Sequence, residues 1–212
     1  MLGALEGHVD EALIVTGFEA EAVQAAAEAA GPRPPLRFVH NARYLEGSVV
    51  SLEVGLRAPR GGAQGLIVMD ADVLFPRVML ERLLGGPPDC FLLDPRASAS
   101  GEEMMLVARE GSVRRIARAV EPGPEDRVGE GVGFLKLSPR LHGLLFSEVC
   151  RFAEGRPQAD YENAIDAILG QVEVGFVEVG DLPWTEVDFA EDLRRAREEI
   201  LPRVEALDAS GT

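Results

Sequence analysis

Short apolar runs alternate with segments of helical pattern along the first half of the chain, at the spacing typical of βα units. The predicted strands span residues 11–18, 36–40 and 65–70, and the predicted helices span 19–30, 48–57 and 76–84. Alanine and glutamate dominate the first helical segment, and Pro76 suits the first position of the third. The pattern therefore predicts an α/β fold.

The second half departs from this alternation. After a fourth apolar run at 90–94, two closely spaced strands at 104–109 and 113–120 are joined by residues 110–112, which predicts a hairpin. Helices at 139–154 and 161–169, a strand at 172–179 and a last helix at 189–204 follow. No linker divides the chain, so we predict one domain over residues 1–207 and a disordered tail over 208–212.

Composition limits the class of partner. The chain has 212 residues, 46% of them hydrophobic, and no apolar run approaches the roughly 20 residues that span a bilayer. With 21 basic and 36 acidic residues its net charge is −15, which disfavours nonspecific binding to nucleic acid and to anionic lipid surfaces. A phosphorylated substrate would then need a metal or local cations.

Cysteine usage indicates the compartment. Cys90 and Cys150 are the only two cysteines, and they lie far apart, outside any metal-ligand spacing. This argues against a disulfide scaffold and a zinc site, so we expect two reduced thiols in a cytoplasmic protein. The first residues lack the basic-then-apolar order of a signal peptide.

Two aspartates follow the third predicted strand, in the segment GLIVMDADVLFP. Because side chains alternate along a strand, Asp70 and Asp72 would point to the same side, just past its carboxyl end, where open α/β sheets bind ligands. Carboxylate oxygens suit Mg²⁺, which typically takes one or two of them together with water and substrate phosphates. The alternative is a solvated turn after a strand.

Trp184, Glu186 and Asp188 alternate along an extended segment and would share one face. An aromatic ring beside two acids could hold a cationic head group such as choline or ethanolamine. Two structural alternatives stay open. Trp184 could fill core space, and Asp188 could cap the helix that follows it.

The order of the motifs resembles a known family. The segments are, in order, VTGF, FVHNARY, EGSVVSL, MDADVLFP, FLLD, GEEMMLV, GEGVGFLKLSP, YENAI and PWTEVDFAEDL. Their succession over residues 11–204 resembles sugar-phosphate and alcohol-phosphate nucleotidyltransferases, in particular the bacterial phosphocholine cytidylyltransferase-like group. The resemblance implies a three-layer αβα, Rossmann-like fold related to A-type glycosyltransferases, with a mixed, mostly parallel sheet.

The resemblance also implies an activity. Members of the family transfer a nucleotidyl group from a nucleoside triphosphate to a phosphorylated alcohol or sugar, with Mg²⁺, and release pyrophosphate. The partners implied here are CTP and a phosphorylated small alcohol or sugar, in a pathway that activates phospholipid head groups. EGSVVSL is closer to the form found in molybdopterin-cytidylyltransferase relatives, and cytosine stays our choice of base.

Residue roles follow from the matched motifs. The two metal aspartates fall on Asp72 and Asp188, with Asp70 as a neighbouring ligand or water-holder. Arg118 stands where the family usually has a lysine near the transferred phosphate, and arginine keeps the charge with a different geometry. The segment near the base or ribose matches Asn41, Tyr44, Gly47, Ser48 and Ser51, although Ser48 could equally cap its helix. Candidates for the alcohol pocket are Glu130, Tyr161, Glu162, Trp184 and Glu186.

One part of the family pattern is not in this chain. The glycine-rich loop that holds the triphosphate normally follows a first strand, and the chain instead starts with MLGALEGHVDEALIV. We therefore expect a first βα unit of roughly thirty residues to precede Met1, and a low activity for the chain as given. The alternative is a degenerate domain that keeps the fold and binds a ligand or partner without turnover. Homo-oligomer formation is left open.

Overall fold

Strands and helices alternate through the first half of the chain. The computed structural model describes residues 1–31, 33–59, 65–96 and 103–210. The first elements are α1 (Leu2–Leu5), β1 (Ala12–Thr16), α2 (Ala20–Ala29), β2 (Leu36–His40), α3 (Ser48–Arg57), β3 (Leu66–Met69), β4 (Val73–Leu74), α4 (Arg77–Gly85) and β5 (Cys90–Asp94). Every strand and helix predicted in this half is present, within two residues at each end.

The second half begins with the predicted hairpin. Its elements are β6 (Met105–Arg109), β7 (Ser112–Ala117), β8 (Arg127–Leu137), α5 (Pro139–Gly155), α6 (Tyr161–Asp166), β9 (Gly175–Glu178), β10 (Thr185–Glu186), α7 (Ala190–Arg195), a π-helical turn (Ala196–Ile200) and α8 (Leu201–Ser210). Glu110 and Gly111 both have positive φ, as a two-residue hairpin turn requires. Residues 101–102 of the GEEMMLV segment lie outside the described residues.

The long strand β8 organises the main sheet. It pairs antiparallel with β5 along one edge, and with β3 and β6 along the other. β9 lies parallel to β5, and β7 completes the sheet beyond β6. The mixed sheet is therefore confirmed, although parallel pairing within this sheet is limited to β5 and β9, which is less than a mostly parallel sheet implies.

The sequence pattern did not predict β8. Glycine weakens a strand because it has no side chain to pack, and β8 carries Gly129, Gly131 and Gly133. The structure gives the reason for two of them. A Cβ on Gly129 would lie 2.5 Å from the Asp94 carbonyl oxygen, and a Cβ on Gly133 would lie 2.2 Å from Asp70 Oδ2. These glycines allow close contact at the carboxyl ends of β5 and β3.

Apolar side chains pack on both faces of the sheet. On β5, Phe91 and Leu93 belong to one buried cluster, which also takes side chains from α3, α5 and α6. Cys90 and Leu92 alternate with them and belong to a second cluster, packed with α4 and flanked by side chains of α1. Two helical layers thus cover one sheet, which confirms the predicted three-layer α/β architecture.

The two cysteines are free thiols, and Cys90 is buried within the second cluster. No helix in the described part of the chain combines the length and the apolar character that a membrane crossing requires.

The carboxyl-terminal prediction needs a correction. Residues 208–210 were expected to be disordered, but they form the last turn of α8. Asp208 Oδ1 accepts a hydrogen bond of 2.8 Å from the backbone N–H of Arg77, at the start of α4. This long-range contact ties the end of the chain to the domain, and it could not be read from local composition. Residues 211–212 lie outside the described residues.

β1 and β2 form a separate parallel pair. Within the described ranges no strand pairs with the other edge of β1, and the edge of β3 opposite β8 is likewise unpaired. The side chains of Leu13, Ile14, Val15 and the whole of β3 are only partly buried. Unpaired strand edges with apolar side chains promote association between chains.

We therefore expect this 212-residue chain to self-associate or to melt below about 45 °C, the lower end of the usual range for such domains. Size-exclusion chromatography with light scattering over a concentration series, together with a thermal melt, measures both properties. A monomer at every concentration that melts well above 65 °C would contradict the expectation.

Candidate functional site

Acidic side chains converge where β3 and β5 end. Because β8 runs antiparallel to both strands, its amino-terminal half lies at the same edge. The Asp70 N–H donates to the carbonyl oxygen of Gly133 at 3.0 Å, and Asp94 pairs with Glu130 across the ladder. The carboxyl edge of the sheet, where α/β proteins bind ligands, is thus lined by carboxylates.

A short ladder brings the two motifs DAD and TEVD together. β10 pairs antiparallel with β4, so that Glu186 stands opposite Val73. The N–H of Val187 donates to the carbonyl oxygen of Asp72 at 3.1 Å. Asp188 follows one residue later, and both Asp72 and Asp188 are exposed. Two segments more than 110 residues apart in the numbering therefore meet at one point.

We call Asp70, Asp72, Glu130, Glu186 and Asp188 the acidic cluster. Burial, together with the negative charges of the other four members, raises the pKa of Glu186 to about 8. Burial and the charges of Glu103 and Asp94 raise the pKa of Glu130 to about 7. Asp72 is exposed as a residue, but partial desolvation of its carboxylate raises the pKa as well, and Asp188 adds to that shift. The carboxylates repel one another, so a bound cation would stabilise them.

Asp70 is anchored by a hydrogen bond from a buried side chain. The buried Tyr161 hydroxyl donates to Asp70 Oδ2 at 2.8 Å. Burial raises the pKa of Asp70 to about 6, and this hydrogen bond opposes the rise. Tyr161, predicted from the YE segment as part of the alcohol pocket, therefore contacts the acidic cluster directly.

Asp72 and Asp188 fit a divalent cation. Their donor atoms are hard carboxylate oxygens, they are exposed to an approaching ligand, and their charges are mutually unfavourable without a cation. Within the described residues no group of three or more His, Cys, Asp or Glu side chains is arranged to hold a metal ion. The structure thus does not assemble Asp70 with Asp72 and Asp188 as a three-ligand site. One or two carboxylates is the usual protein share for Mg²⁺.

Asp188 does not cap the helix that follows it. α7 begins after Phe189, whose N–H donates to Asp192 Oδ2 at 3.0 Å. The capping interpretation is therefore wrong, and the Asp188 carboxylate remains available as a member of the acidic cluster.

The residues predicted near the nucleotide base lie close together at the start of α3. Asn41 is buried, and its Nδ2 donates to Ser51 Oγ at 3.0 Å while its Oδ1 accepts from the Arg43 N–H. Gly47, not Ser48, is the cap of α3, which corrects the capping alternative for Ser48. Ser48 Oγ instead accepts from the Tyr161 N–H at 2.9 Å. These hydrogen bonds hold together the end of β2, the start of α3 and the start of α6. The sequence alone did not reveal the partners of Asn41, Ser48 and Ser51.

Gly47 is needed for close packing. A Cβ there would lie 2.3 Å from the Ala159 carbonyl oxygen, and the Gly47 N–H donates to the Pro157 carbonyl oxygen at 2.6 Å. The start of α3 is thus docked on the loop that leads into α6.

Arg118 lies just past β7, at the rim of the same region. Its guanidinium donates to Asp160 Oδ2 at 3.0 Å, next to Tyr161. Burial and neighbouring carboxylates raise the pKa of Glu162 to about 7, and the positive charge of Arg118 opposes that rise. The structure thus places the Arg118 guanidinium beside Asp160, and its role toward a phosphate stays a prediction.

Trp184 is partly buried against the second core cluster, as the structural alternative held. Its indole N–H donates to Asp94 Oδ2 at 2.7 Å, and Arg96 binds the same carboxylate through its Nε, its Nη2 and its backbone N–H. Burial works against the charge of Asp94, but these hydrogen bonds outweigh it and lower the pKa. Asp94 and Arg96 were missed from the sequence, because Trp184, which donates to Asp94, lies about ninety residues away and Arg96 binds that same carboxylate.

The raised pKa values predict how stability depends on pH. The folded protein holds extra protons on Glu186, Glu130, Glu162 and Asp70 between their unfolded pKa values near 4 and their folded values of about 6 to 8. Stability therefore falls as pH rises through this window. After a discount for partial exposure, we expect the Tm to drop by about 5 °C between pH 5.5 and 8.5.

Glu186→Gln is expected to flatten this dependence, whereas Glu205→Gln, at an exposed position on α8, leaves it unchanged. Thermal melts across the pH range measure the effect. A Tm that rises steadily from pH 5.5 to 8.5 would contradict the assignment of these carboxylates.

Comparisons with known proteins give the fold a context. No family model and no curated protein matches the sequence. The structure is similar to that of the inositol-1-phosphate CTP transferase from T. maritima, with a TM-score of 0.73, 13% identity, and coverage of 93% of this chain and 78% of that chain. It is also similar to CTP:phosphocholine cytidylyltransferase from Streptococcus pneumoniae, with a TM-score of 0.66, 16% identity, and coverage of 94% and 82%.

A third neighbour, UDP-glucose pyrophosphorylase, has a TM-score of 0.61 at 12% identity and coverage of 95% and 80%. Its complex contains UDP-glucose. These three neighbours are thus nucleotidyltransferases, two of them named for CTP and one for UDP-glucose. At these identities the likeness establishes the Rossmann-like nucleotidyltransferase fold, which confirms the fold expected from the motif order.

Proposed function

We propose that this protein is a Mg²⁺-dependent nucleotidyltransferase that transfers CMP from CTP to a phosphorylated small alcohol or sugar. The observation that carries the proposal is the meeting of Asp72 and Asp188 at the carboxyl edge of the sheet, through the β4–β10 ladder. The fold shared with CTP-using neighbours supports the same class of reaction.

The reaction needs no redox partner and no covalent enzyme intermediate. An oxygen of the alcohol phosphate attacks the α-phosphorus of CTP, the bond from that phosphorus to the oxygen shared with the β-phosphate breaks, and pyrophosphate leaves. Both reactants are anions, and they must meet beside a cluster of carboxylates. When bound, Mg²⁺ would neutralise the α-phosphate and the incoming phosphate.

The chain's own residues divide this work. Asp72 and Asp188 would hold the cation, and Arg118 would contact a phosphate at the rim, where it now pairs with Asp160. Glu130 and Glu186 would face the alcohol. Burial and the charges of neighbouring carboxylates raise the pKa values of both side chains. A cationic head group would relieve the repulsion, which favours the phosphate of choline or ethanolamine over the phosphate of an uncharged sugar.

A second candidate is a non-catalytic domain that keeps the fold. The observation in its favour is that three residues which the motif order assigns to the nucleotide are already engaged within the protein. Asn41 donates to Ser51, and Ser48 accepts from the Tyr161 N–H. Such a domain would bind a nucleotide or a partner protein without turnover.

One assay separates the two candidates. Pyrophosphate release is measured with each of the four nucleoside triphosphates against phosphocholine, phosphoethanolamine, inositol phosphate and sugar phosphates, with Mg²⁺. It is run on this chain and on the longest protein encoded in frame around it. We expect pyrophosphate release with CTP and the phosphate of a cationic alcohol such as choline, accompanied by formation of the matching CDP-alcohol. No release from either protein with any pair would favour the non-catalytic domain.

A further inference from the structure

Tyr161 joins two parts of the site that the sequence treats as separate. Its backbone N–H donates to Ser48 Oγ at the start of α3, and its hydroxyl donates to Asp70 Oδ2 after β3. The side chain is 8% exposed, and burial keeps the pKa of its hydroxyl well above the usual value. Tyr161 is therefore a permanent hydrogen-bond donor inside the protein.

The surroundings of Asp70 leave little room for another orientation of its side chain. Its N–H is bonded to the carbonyl oxygen of Gly133, and its Oδ2 is so close to Gly133 that a Cβ there would lie 2.2 Å away. Tyr161 holds that same oxygen from the α6 side. The backbone, the missing side chain of Gly133 and the tyrosine hydroxyl together select one orientation of the carboxylate.

We propose that Tyr161 is a positioning residue for the divalent cation site, and that it holds Asp70 as an outer support of Asp72 and Asp188 instead of a third ligand. The proposal rests on the proposed function for its cation, and on contacts within the chain for its geometry. One oxygen of Asp70 is already engaged by Tyr161, and no three carboxylates of the described residues are grouped to hold an ion. Outer partners of this kind orient a site and keep its carboxylates in place.

The test is the affinity of the protein for Mn²⁺ alone, measured by electron paramagnetic resonance. We expect Tyr161→Phe to bind Mn²⁺ about 10- to 100-fold more weakly than the unmodified protein, which is the usual effect of losing an outer partner. Ser138→Ala is the matched control, because it removes a hydroxyl that donates to Asp89 Oδ2 at 2.9 Å at the opposite edge of the sheet. It should leave the affinity unchanged.

A double-mutant cycle shows whether Tyr161 acts through Asp70. We expect Asp70→Ala and Asp70→Asn each to weaken Mn²⁺ binding, and Tyr161→Phe to add little in the Asp70→Ala protein, which has no side-chain oxygen left to position. A general loss of folding would instead weaken binding by the same factor in both backgrounds. Asp70→Asn retains an oxygen that can accept the tyrosine hydroxyl, so it tests the proposal even if Tyr161→Phe does not fold.

The outcomes are distinct from those of the activity assay. If the protein binds Mn²⁺ but transfers no nucleotide, the proposed function fails and the role of Tyr161 stands. If Tyr161→Phe or Asp70→Asn binds Mn²⁺ as the unmodified protein does, or if the two effects simply add, the positioning role is overturned whatever the activity.

Discussion

Replacing Asp72 or Asp188 by asparagine is expected to lower the rate of nucleotidyl transfer by about 1,000-fold. A cation that neutralises the reacting phosphates contributes several kcal/mol to the transition state, and each 1.4 kcal/mol is a factor of ten in rate. The loss should fall mainly on kcat, because the reacting phosphates carry the charge that the cation stabilises.

The double variant distinguishes a shared ion from two independent roles. If both aspartates hold one cation, Asp72→Asn/Asp188→Asn should be no more than about tenfold slower than the slower single variant. Asp10→Asn, at an exposed position before β1, is the matched control and keeps its activity. Single variants within threefold of the unmodified protein would remove these residues from the reaction.

Stability separates loss of function from loss of fold. The charges of Asp72 and Asp188 raise the pKa of Glu186, so both substitutions relieve repulsion. We therefore expect the Asp72→Asn and Asp188→Asn proteins to melt at or above the temperature of the unmodified chain at pH 8. If a variant is inactive but has a higher melting temperature, unfolding does not explain its loss of activity.

Gly133→Ala is expected to damage both stability and activity. Gly133 has φ of +70°, which costs an L side chain about 1–2 kcal/mol, and the new Cβ would lie 2.2 Å from Asp70 Oδ2. Asp70 would have to move away from Tyr161, which breaks the hydrogen bond between them. We expect a loss of about 2–4 kcal/mol in stability and about 100-fold in rate.

Gly111→Ala provides the matched control. Gly111 has φ of +78°, but a Cβ there would meet no atom within 4 Å. This variant should therefore lose about 1–2 kcal/mol from backbone strain and keep its activity. The difference between the two variants in urea melts and in kcat isolates the contact with Asp70. Equal effects of both substitutions would contradict the close approach of Asp70 to β8.

The fold could be predicted largely from the sequence because its first half is built from long, regular βα units. The predicted strand at 36–40 and the predicted helix at 48–57 match β2 and α3 residue for residue. β8 could not be predicted, because Gly129 and Gly133 are selected by contacts with Asp94 in β5 and with Asp70 just past the end of β3. A local strand propensity contains no information about such contacts.

The site could be predicted in part. The spacing of DAD and TEVD placed carboxylates at strand ends, and the resemblance supplied the expectation that Asp72 and Asp188 meet. The partners of Ser48, Asp70 and Trp184 could not be predicted, because each hydrogen bond joins residues 90 or more positions apart. Whether a hydroxyl or an indole faces a ligand or the protein depends on those partners.

The most direct test of the central claim is a crystal structure of the protein with Mn²⁺ and CTP, recorded with anomalous scattering from manganese. We predict one anomalous peak between the carboxylates of Asp72 and Asp188, in contact with the triphosphate. For one ion to bind both side chains, their oxygens must lie within roughly 4 Å of each other. A triphosphate bound elsewhere, or manganese that contacts neither aspartate, would contradict the assignment of this cluster as the catalytic centre.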